Sequence, residues 1–438
     1  MLQTLINSFK NKDIRKKILF TGLLLLIYRI GCYIPIPGIS TSVYTVAGPE
    51  SDNMMLTLLS SLSGGALANG AFFAIGISPY INASIIIQLL TIAIPKLEQW
   101  SKQGDEGKKK MSITTRIVTL VLAIAQAIGI VVNWSNNNGL YDVPVGGGMM
   151  PKFLVGMFVV IALVAGSMLT MWIGERITEM GIGNGISLLI FVGILSSAAL
   201  AVIIQAQKIP TDPTAIWFLI GFFLLVIAIF TFIIFIDLAE RRIPIQYAKQ
   251  VKGRKQYGGQ STFIPIKINA AGVLPIIFAN ALISFPQLIM SMIPAAAASP
   301  FYAGWQSVMG VGQWLYCIVV GLLILFFSYF YAQIQFNPEE VARNIQQYGG
   351  FIPGIRPGKP THEYLKKVTK RITLWGALFL AFIAIVPSLV FTLAFGPTSS
   401  LLNGFSATGM LIVVSVALEF EKQLQSQLMM KQYKGFLK

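Results

Sequence analysis

Charge is what this chain has least of. Only 11% of its 438 residues are charged and 55% are hydrophobic, whereas soluble domains carry about 25% charged residues. With a mean hydropathy of +0.71, an ordinary soluble domain is excluded. The apolar residues come in long runs rather than in alternation, which excludes a β-barrel and points to membrane-spanning helices. Cysteine and histidine are almost missing. Cys32 and Cys317 each lie inside an apolar run and read as small hydrophobes, not as a disulfide. His362, the single histidine, lies in a polar loop, so no zinc spacing exists and no metal or cofactor is expected. Catalytic patterns are lacking too: there is no Walker loop, no H-E-x-x-H and no G-x-S-x-G. Asp237, at a helix end, has no partner Asp within a span, so intramembrane proteolysis lacks its groups. No catalytic residue is assigned and no enzyme is expected.

What is present centres on Gly64–Pro95, GGALANGAFFAIGISPYINASIIIQLLTIAIP, which has no charged side chain from Ala66 to Ile94. A bilayer core about 30 Å thick needs roughly 20 helical residues. This run is longer, and Ser78-Pro79 reads as an N-cap and first helical residue inside it. The expectation is a short amphipathic or small-residue helix, a return in irregular backbone, then a half-length helix from about Pro79 to Pro95. Irregular backbone at membrane depth survives only when buried in protein or lining a wet cavity, so a cavity is expected here.

Ten spans are expected, at about 18–36, 72–95, 113–134, 153–173, 183–204, 214–237, 269–293, 312–336, 371–391 and 403–420. The first run shows no cleavage site and reads as a retained helix. Basic residues fall on one face: five in the N-terminal tail, six between spans two and three, and one, Arg176, after span four. Seven more follow span six, seven follow span eight and four lie in the C-terminal tail, which makes 30 of the 33. Both termini are therefore expected to be cytoplasmic. No loop is long enough for a soluble catalytic domain. Residues 238–268 place two β-prone stretches around a Gly/Lys/Arg-rich tip and read as a hairpin-like projection. Residues 337–370 open with Asn337-Pro338-Glu339-Glu340, a helix start, and stop at Gly349-Gly350. FIPGIRPGKP then presents Arg356 in a Pro/Gly frame.

Ion-coupled transport is the generic rival, but it uses ionisable groups at mid-membrane. Here the deep candidate is Arg29 alone, which reads as a structural arginine bonded to carbonyls or reaching outward. Two isoleucine pairs stand out near expected helix starts: Ile77 with Ile81, and Ile186 with Ile190 directly after GIGNG. Residues four apart share a helix face.

Five stretches together resemble the SecY family of protein-conducting channels: RIGCYIPIPGI (Arg29–Ile39), SGGALANGAFFAIGISPYINASIIIQLL (Ser63–Leu90), MWIGERITEMGIGNGIS (Met171–Ser187), QSTFIPIKINAAGVLPIIFA (Gln260–Ala279) and GGFIPGIRPG (Gly349–Gly358). They keep order and spacing across nearly the whole chain. The resemblance implies an all-α polytopic membrane protein, with ten helices in two pseudo-symmetric halves, 1–213 and 214–438, around an hourglass pore. It implies a pore ring of Ile77, Ile81, Ile186, Ile190, Ile277 and Ile412; at the last of these FSATGMLIVV departs from the family's Gly-Thr-Ser-rich pattern. A plug helix over about Leu56–Ala68 is implied, including Leu56, Leu59, Leu62, Gly64, Gly65 and Leu67, with a lateral gate carrying Gln88, Gln126 and Asn280. Energy must then come from outside, so Arg241, Arg242, Lys249, Lys252, Arg254, Lys255, Arg356 and Lys359 become the expected contacts for a SecA ATPase or a ribosome. SecE-like and SecG-like subunits, secretory preproteins with their signal sequences and anionic lipid complete the implied partners, at the plasma membrane. The implied activity is passage of unfolded polypeptides outward, with transmembrane segments released sideways into lipid.

Overall fold

The computed structural model describes residues 8–40, 60, 63–136, 140, 143–145, 148–207, 209–210, 215–247, 250–252, 255–257, 261–269, 272–292, 299–309, 313–395 and 407–436. A helix occupies each of the ten apolar stretches. They are α1 (Lys12–Gly31), α2 (Ser78–Ala93), α4 (Gly104–Asn136), α5 (Lys152–Met180), α6 (Gly185–Gln207), α7 (Ala215–Asp237), α8 (Leu274–Met292), α10 (Trp314–Gln335), α12 (Lys359–Phe395) and α13 (Ala407–Phe436). Short helices α3 (Pro95–Lys102), α9 (Pro300–Met309) and α11 (Pro338–Gln347) lie between them. Among the described residues, six of these helices are long and apolar enough to cross a bilayer; the pair α2–α3, bent by 105°, makes a seventh if read as one span. α1 falls short on that measure because it carries Arg15, Lys16, Lys17 and Arg29, and α13 because its second half is polar.

Several helices overrun the apolar stretch that defined them. α4 begins nine residues before the expected start at 113, and α12 begins at Lys359 rather than near 371. The polar start of α4 is supported by its own pairs: Lys110 Nζ lies 2.9 Å from Glu106 Oε1 at an i,i+4 spacing.

Large interior clusters carry the helix packing. One joins Ile85 of α2 to α7, α8, α10, α12 and α13, with Phe222, Ile276, Ile324, Leu380 and Leu411 at its centre. A second joins Trp134, Ile130, Val159 and Leu163 of α4 and α5 to Leu67, Ala74 and Ile75. Outward, α1, α5 and α7 present large apolar side chains such as Leu23, Ile161 and Phe235; in water such faces would associate, while in lipid they need no cover.

The two large polar loops form one body. β3 (Glu240–Tyr247) pairs antiparallel with β6 (Ser261–Lys267), in register Ile243↔Ile264. β7 (Gly350–Phe351) adds to the free edge of β3, pairing Gln246↔Phe351 and Tyr247↔Gly350. β4 (Gln250–Lys252) and β5 (Lys255–Tyr257) prolong the hairpin toward its tip. Ile243, Ile245, Ile266, Ala342, Ile345, Ile352 and Leu365 make a separate small core under this sheet. Between α4 and α5, β1 (Val143–Val145) and β2 (Gly148–Met150) make a short antiparallel hairpin.

Candidate functional site

The break in Gly64–Pro95 is real and is built by backbone. Residues 63–70 are turns, with Gly64 at φ +68°, Gly65 at +85°, Gly70 at +57° and Gly76 at +57°, a region that favours glycine. The expected plug helix therefore does not continue to Ala68; Gly64, Gly65 and Leu67 lie in these turns. Leu56, Leu59 and Leu62 lie outside the described residues. A second correction concerns the helix start. Ile77 holds the N-cap position and Ser78 is the first helical residue, so Pro79 sits in the first turn and Ser78 makes no capping bond.

This irregular segment is buried, so its polar groups need partners. They find them in neighbouring segments of the same chain. Ile36 N donates to Gly70 O at 3.0 Å and Phe72 N to Ile34 O at 2.9 Å. Ser167 of α5 donates to Gly76 O at 3.0 Å. Close approach is enforced by small residues: a Cβ at Gly31 would collide with the Phe73 ring, which stacks on Tyr28 with centroids 5.8 Å apart.

A comparable device precedes α6. Gly183 takes φ +90°, and Asn184 Oδ1 accepts from Ile186 N at 3.1 Å, capping the helix. Thr178 Oγ1 accepts from Gly185 N at 2.9 Å. Ile186 and Ile190 are thereby set in the first two turns of α6.

All six isoleucines named from the sequence come together. Ile77, Ile190 and Ile412 are buried in one cluster, and Ile81, Ile186 and Ile277 pack against it half-buried. They come from four segments of the chain, and each lies at the N-cap or within the first six residues of its helix: α2, α6, α8 or α13. Gly174 of α5 lies between two of them: a Cβ there would meet Ile186 at 3.2 Å and Ile77 at 3.5 Å. No hydrogen-bonding side chain belongs to the six, so the surface they make is apolar.

Beside the cluster, α4 packs on both α2 and α8. Gln88 of α2 and Gln126 of α4 each keep Oε1 buried with no hydrogen-bond partner among the described residues, and Asn280 of α8 is half-buried.

The polar loops place their basic residues outward. Arg241 and Arg242 are exposed on β3. Arg242 is already engaged: its Nε lies 2.8 Å from Glu240 Oε1, and its guanidinium lies 4.9 Å from the centre of the Phe263 ring. Lys252 and Lys255 are backbone register partners of β4 and β5, while Lys249 and Arg254 lie outside the described residues. Arg356 and Lys359 are exposed, and Thr361 Oγ1 ties the Arg356 carbonyl at 2.8 Å, with Gly354 at φ +82° and Gly358 at +101° bracketing the arginine. Asn337 caps α11 as its sequence predicts, accepting from Glu339 N at 3.1 Å.

Sequence reading missed the partners of Arg29. Its Nη1 donates to Gly64 O at 3.3 Å, and its Nη2 donates to Tyr33 Oη at 3.1 Å and to Ser196 Oγ. Nothing in a linear pattern joins residues 29, 64 and 196. Among the described residues, no group of His, Cys, Asp and Glu is placed to hold a metal.

The SecY family model matches residues 71–421. Protein translocase subunit SecY of Streptomyces scabiei is 41% identical over the full length of both chains, and that of Corynebacterium glutamicum is equally so. Among solved structures, a protein-conducting channel superposes with a TM-score of 0.62 at 20% identity, covering 94% of this chain and 91% of the other. Sec61 from a canine ribosome–channel complex gives 0.58 at 18%, with the same coverage. The fold is thus shared with these channels, and by family match and full-length identity the chain belongs to the SecY family of protein-conducting membrane channels.

Proposed function

We propose that this chain is the pore subunit of a plasma-membrane Sec translocon, passing unfolded polypeptides outward and releasing transmembrane segments sideways into lipid. The observation that carries the reading is the convergence of Ile77, Ile81, Ile186, Ile190, Ile277 and Ile412 in one apolar cluster. A channel for unfolded chains cannot depend on particular side chains, and a ring of isoleucine offers no hydrogen bonds to hold a passing segment. Isoleucine in a helix is stiff at χ1, so the ring keeps its shape, and an apolar constriction closes to ions by dewetting. Cytoplasmic termini on a ten-span chain are what the basic-residue distribution supports, and the family resemblance implies that the spans form two halves, 1–213 and 214–438.

In this reading the turns at 63–70 end a plug, and the seam of α2 and α4 with α8 and α10 is the lateral gate, lined by Gln88, Gln126 and Asn280. The joined sheet β6-β3-β7 with its small core makes the two basic loops one shaped platform. Arg241, Arg242, Lys249, Lys252, Arg254, Lys255, Arg356 and Lys359 dock a SecA ATPase or a ribosome there, since polyanionic RNA attracts such a surface; two solved neighbours, Sec61 and a yeast Ssh1 complex, are ribosome-bound. SecE-like and SecG-like subunits cover part of the outer apolar faces, and anionic headgroups meet the remaining basic residues at about 1 kcal/mol each.

The test is crosslinking. Single cysteines replace Ile81, Ile190 or Ile277 in a chain carrying Cys32→Ser and Cys317→Ser. A secretory chain stalled during export is expected to crosslink at all three positions. Absence of a crosslink at every one sinks the pore assignment.

A further inference from the structure

Where α10 ends, α11 begins and α12 begins, the three helices enclose a cavity of about 380 Å³, within the range of about 300–1,000 Å³ typical of small-molecule pockets. Tyr329 and Gln333 of α10 line one wall, and His362, Lys366, Thr369 and Lys370 of α12 line another. A threonine inside a helix commonly satisfies its hydroxyl on the carbonyl four residues back, as Thr119 and Thr170 do at 2.7 and 2.9 Å. Thr369 does not. It is only 9% exposed, yet its Oγ1 is buried with no hydrogen-bond partner among the described residues. His362 Nδ1, two turns earlier on the same wall, is buried and unpartnered likewise. An unanswered buried polar group costs about 1–3 kcal/mol, so two of them on one cavity wall call for a polar occupant. The charge of the lining selects its kind. Lys366 and Lys370 supply two cations, while Glu339, the one carboxylate among the described lining residues, already lies 3.2 Å from Arg343 Nη2. Ammonium, hydroxyl and the Nδ1–H imidazole all donate, which suits a group with several anionic oxygens, a phosphate. Its surroundings add a second requirement. Along α10 the stripe of Gln333 and Tyr329 runs on at helical spacing into Phe326 and Leu322, and on α12 Lys370 is followed by Leu374 and Leu378. All four are exposed apolar side chains. Phosphate-binding groups at one end and bare hydrocarbon at the other match an amphiphile, and basic pockets between membrane helices hold lipid headgroups of this kind.

We propose that this cavity binds the phosphate headgroup of an anionic lipid, held by Lys366, Lys370, Thr369 and His362, with the acyl chains lying along Leu322, Phe326, Leu374 and Leu378. The diffuse headgroup attraction described above thereby gains one built site. The site depends on the membrane reading of the chain and not on the pore assignment. Its occupancy also bears on the loop platform. Phe336 lines the cavity and packs against the small core that contains Ala342, Ile345 and Leu365. A headgroup seated there ties the platform to the bilayer through the start of α11.

The experiment uses the full chain, co-purified with its membrane partners and reconstituted in phosphatidylcholine vesicles that contain a phosphatidylglycerol with a photoreactive headgroup. After illumination, peptide mapping is expected to find the label on Tyr329–Gln333 and His362–Thr373. Lys366→Gln combined with Lys370→Gln is expected to lower that label about tenfold, and the isosteric Thr369→Val about threefold. Lys367→Gln combined with Arg371→Gln removes the same charge at exposed positions outside the lining and is expected to leave the label at the parental level. Equal losses in the two double variants mean diffuse attraction to a basic surface and overturn the pocket. A label unchanged by both the lysine pair and Thr369→Val overturns it too, since water then answers the buried groups. Added inorganic phosphate is expected not to compete; competition assigns the cavity to free phosphate and overturns the lipid. Preprotein translocation is read from the same vesicles. Its absence refutes the channel reading alone, because the labelling pattern decides the pocket in either case.

Discussion

Arg116 of α4 and Glu175 of α5 meet through two contacts, Nε to Oε1 at 3.0 Å and Nη2 to Oε2 at 2.9 Å. This fork-to-fork geometry joins the two helices near the ends that carry the basic loops. Arg116 is nearly half exposed while Glu175 is mostly covered. The pair is accordingly worth about 1 kcal/mol, not the larger value of a dry site. Glu175→Gln or Arg116→Met is expected to lower the thermal unfolding midpoint of the purified complex by about 1–2 °C. The charge-swapped double variant, Arg116→Glu with Glu175→Arg, is expected to recover part of the loss. Equal midpoints in all four proteins would show that the contact contributes nothing.

Ser167 and Gly166 of α5 serve the irregular segment in different ways. The Ser167 hydroxyl satisfies the buried Gly76 carbonyl, and Gly166 leaves room for the Phe72 carbonyl, with which a Cβ would collide. Ser167→Ala leaves an acceptor buried and unpaired, a cost of about 1–3 kcal/mol. Gly166→Ala asks a backbone carbonyl to move and is expected to destabilise more. Urea or thermal unfolding in detergent ranks the two. A Ser167→Ala protein as stable as the parent would show that water reaches Gly76 O.

The helices and the broken span were legible in the sequence because both depend on local signals: apolar runs, and Gly and Ser-Pro at the break. The polar start of α4 was not, because its turns carry side-chain pairs that hydropathy does not register, such as Lys110 with Glu106. Asn337 announced the start of α11, since a cap acts within three residues. The addition of β7 to β3 was hidden, because Gln246 and Phe351 are separated by a hundred residues and only tertiary packing brings them into register. Ile77, Ile81, Ile186 and Ile190 drew attention through their spacing and neighbouring breaks. Ile277 and Ile412 had no such local mark and were named through the family resemblance. The Arg29 contacts were beyond reach, as they join three distant segments through one side chain.

Substituting the clustered isoleucines separates the proposed channel from a solute carrier. Ile81→Ser and Ile190→Ser put a hydroxyl among six isoleucines that offer no hydrogen bonds, which favours water at the proposed constriction. The expected outcome is measurable ion leak and relaxed signal-sequence selectivity, with export of secretory chains continuing. A carrier would instead change its affinity for a small solute and show no leak. Electrophysiology on reconstituted vesicles, together with an export assay, distinguishes the two.

Lys422 of α13 offers a pH test of how the C-terminal helix seats on the loop platform. Burial lowers its pKa from the ordinary 10.5, the nearby Lys267 ammonium lowers it further, and Asp237 and Glu240 oppose the shift. Asp237 is itself engaged by Asn269, whose Nδ2 donates to Oδ1 at 3.1 Å. A lysine with a lowered folded-state value binds its proton more weakly in the fold than in the unfolded chain, so its charge disfavours folding at neutral pH. Stability gained from losing that proton appears as pH rises through the folded value and is complete above 10.5, where both states are neutral. Lys422→Gln is therefore expected to raise the unfolding midpoint at pH 7–8 relative to the parent, and the difference is expected to shrink toward zero as pH approaches 10.5. Taking the difference between the two proteins at each pH cancels the titration of other lysines. A variant less stable than the parent at neutral pH would mean that attraction to Asp237 and Glu240 outweighs burial and Lys267, and that α13 is held to the platform by ion pairs after all.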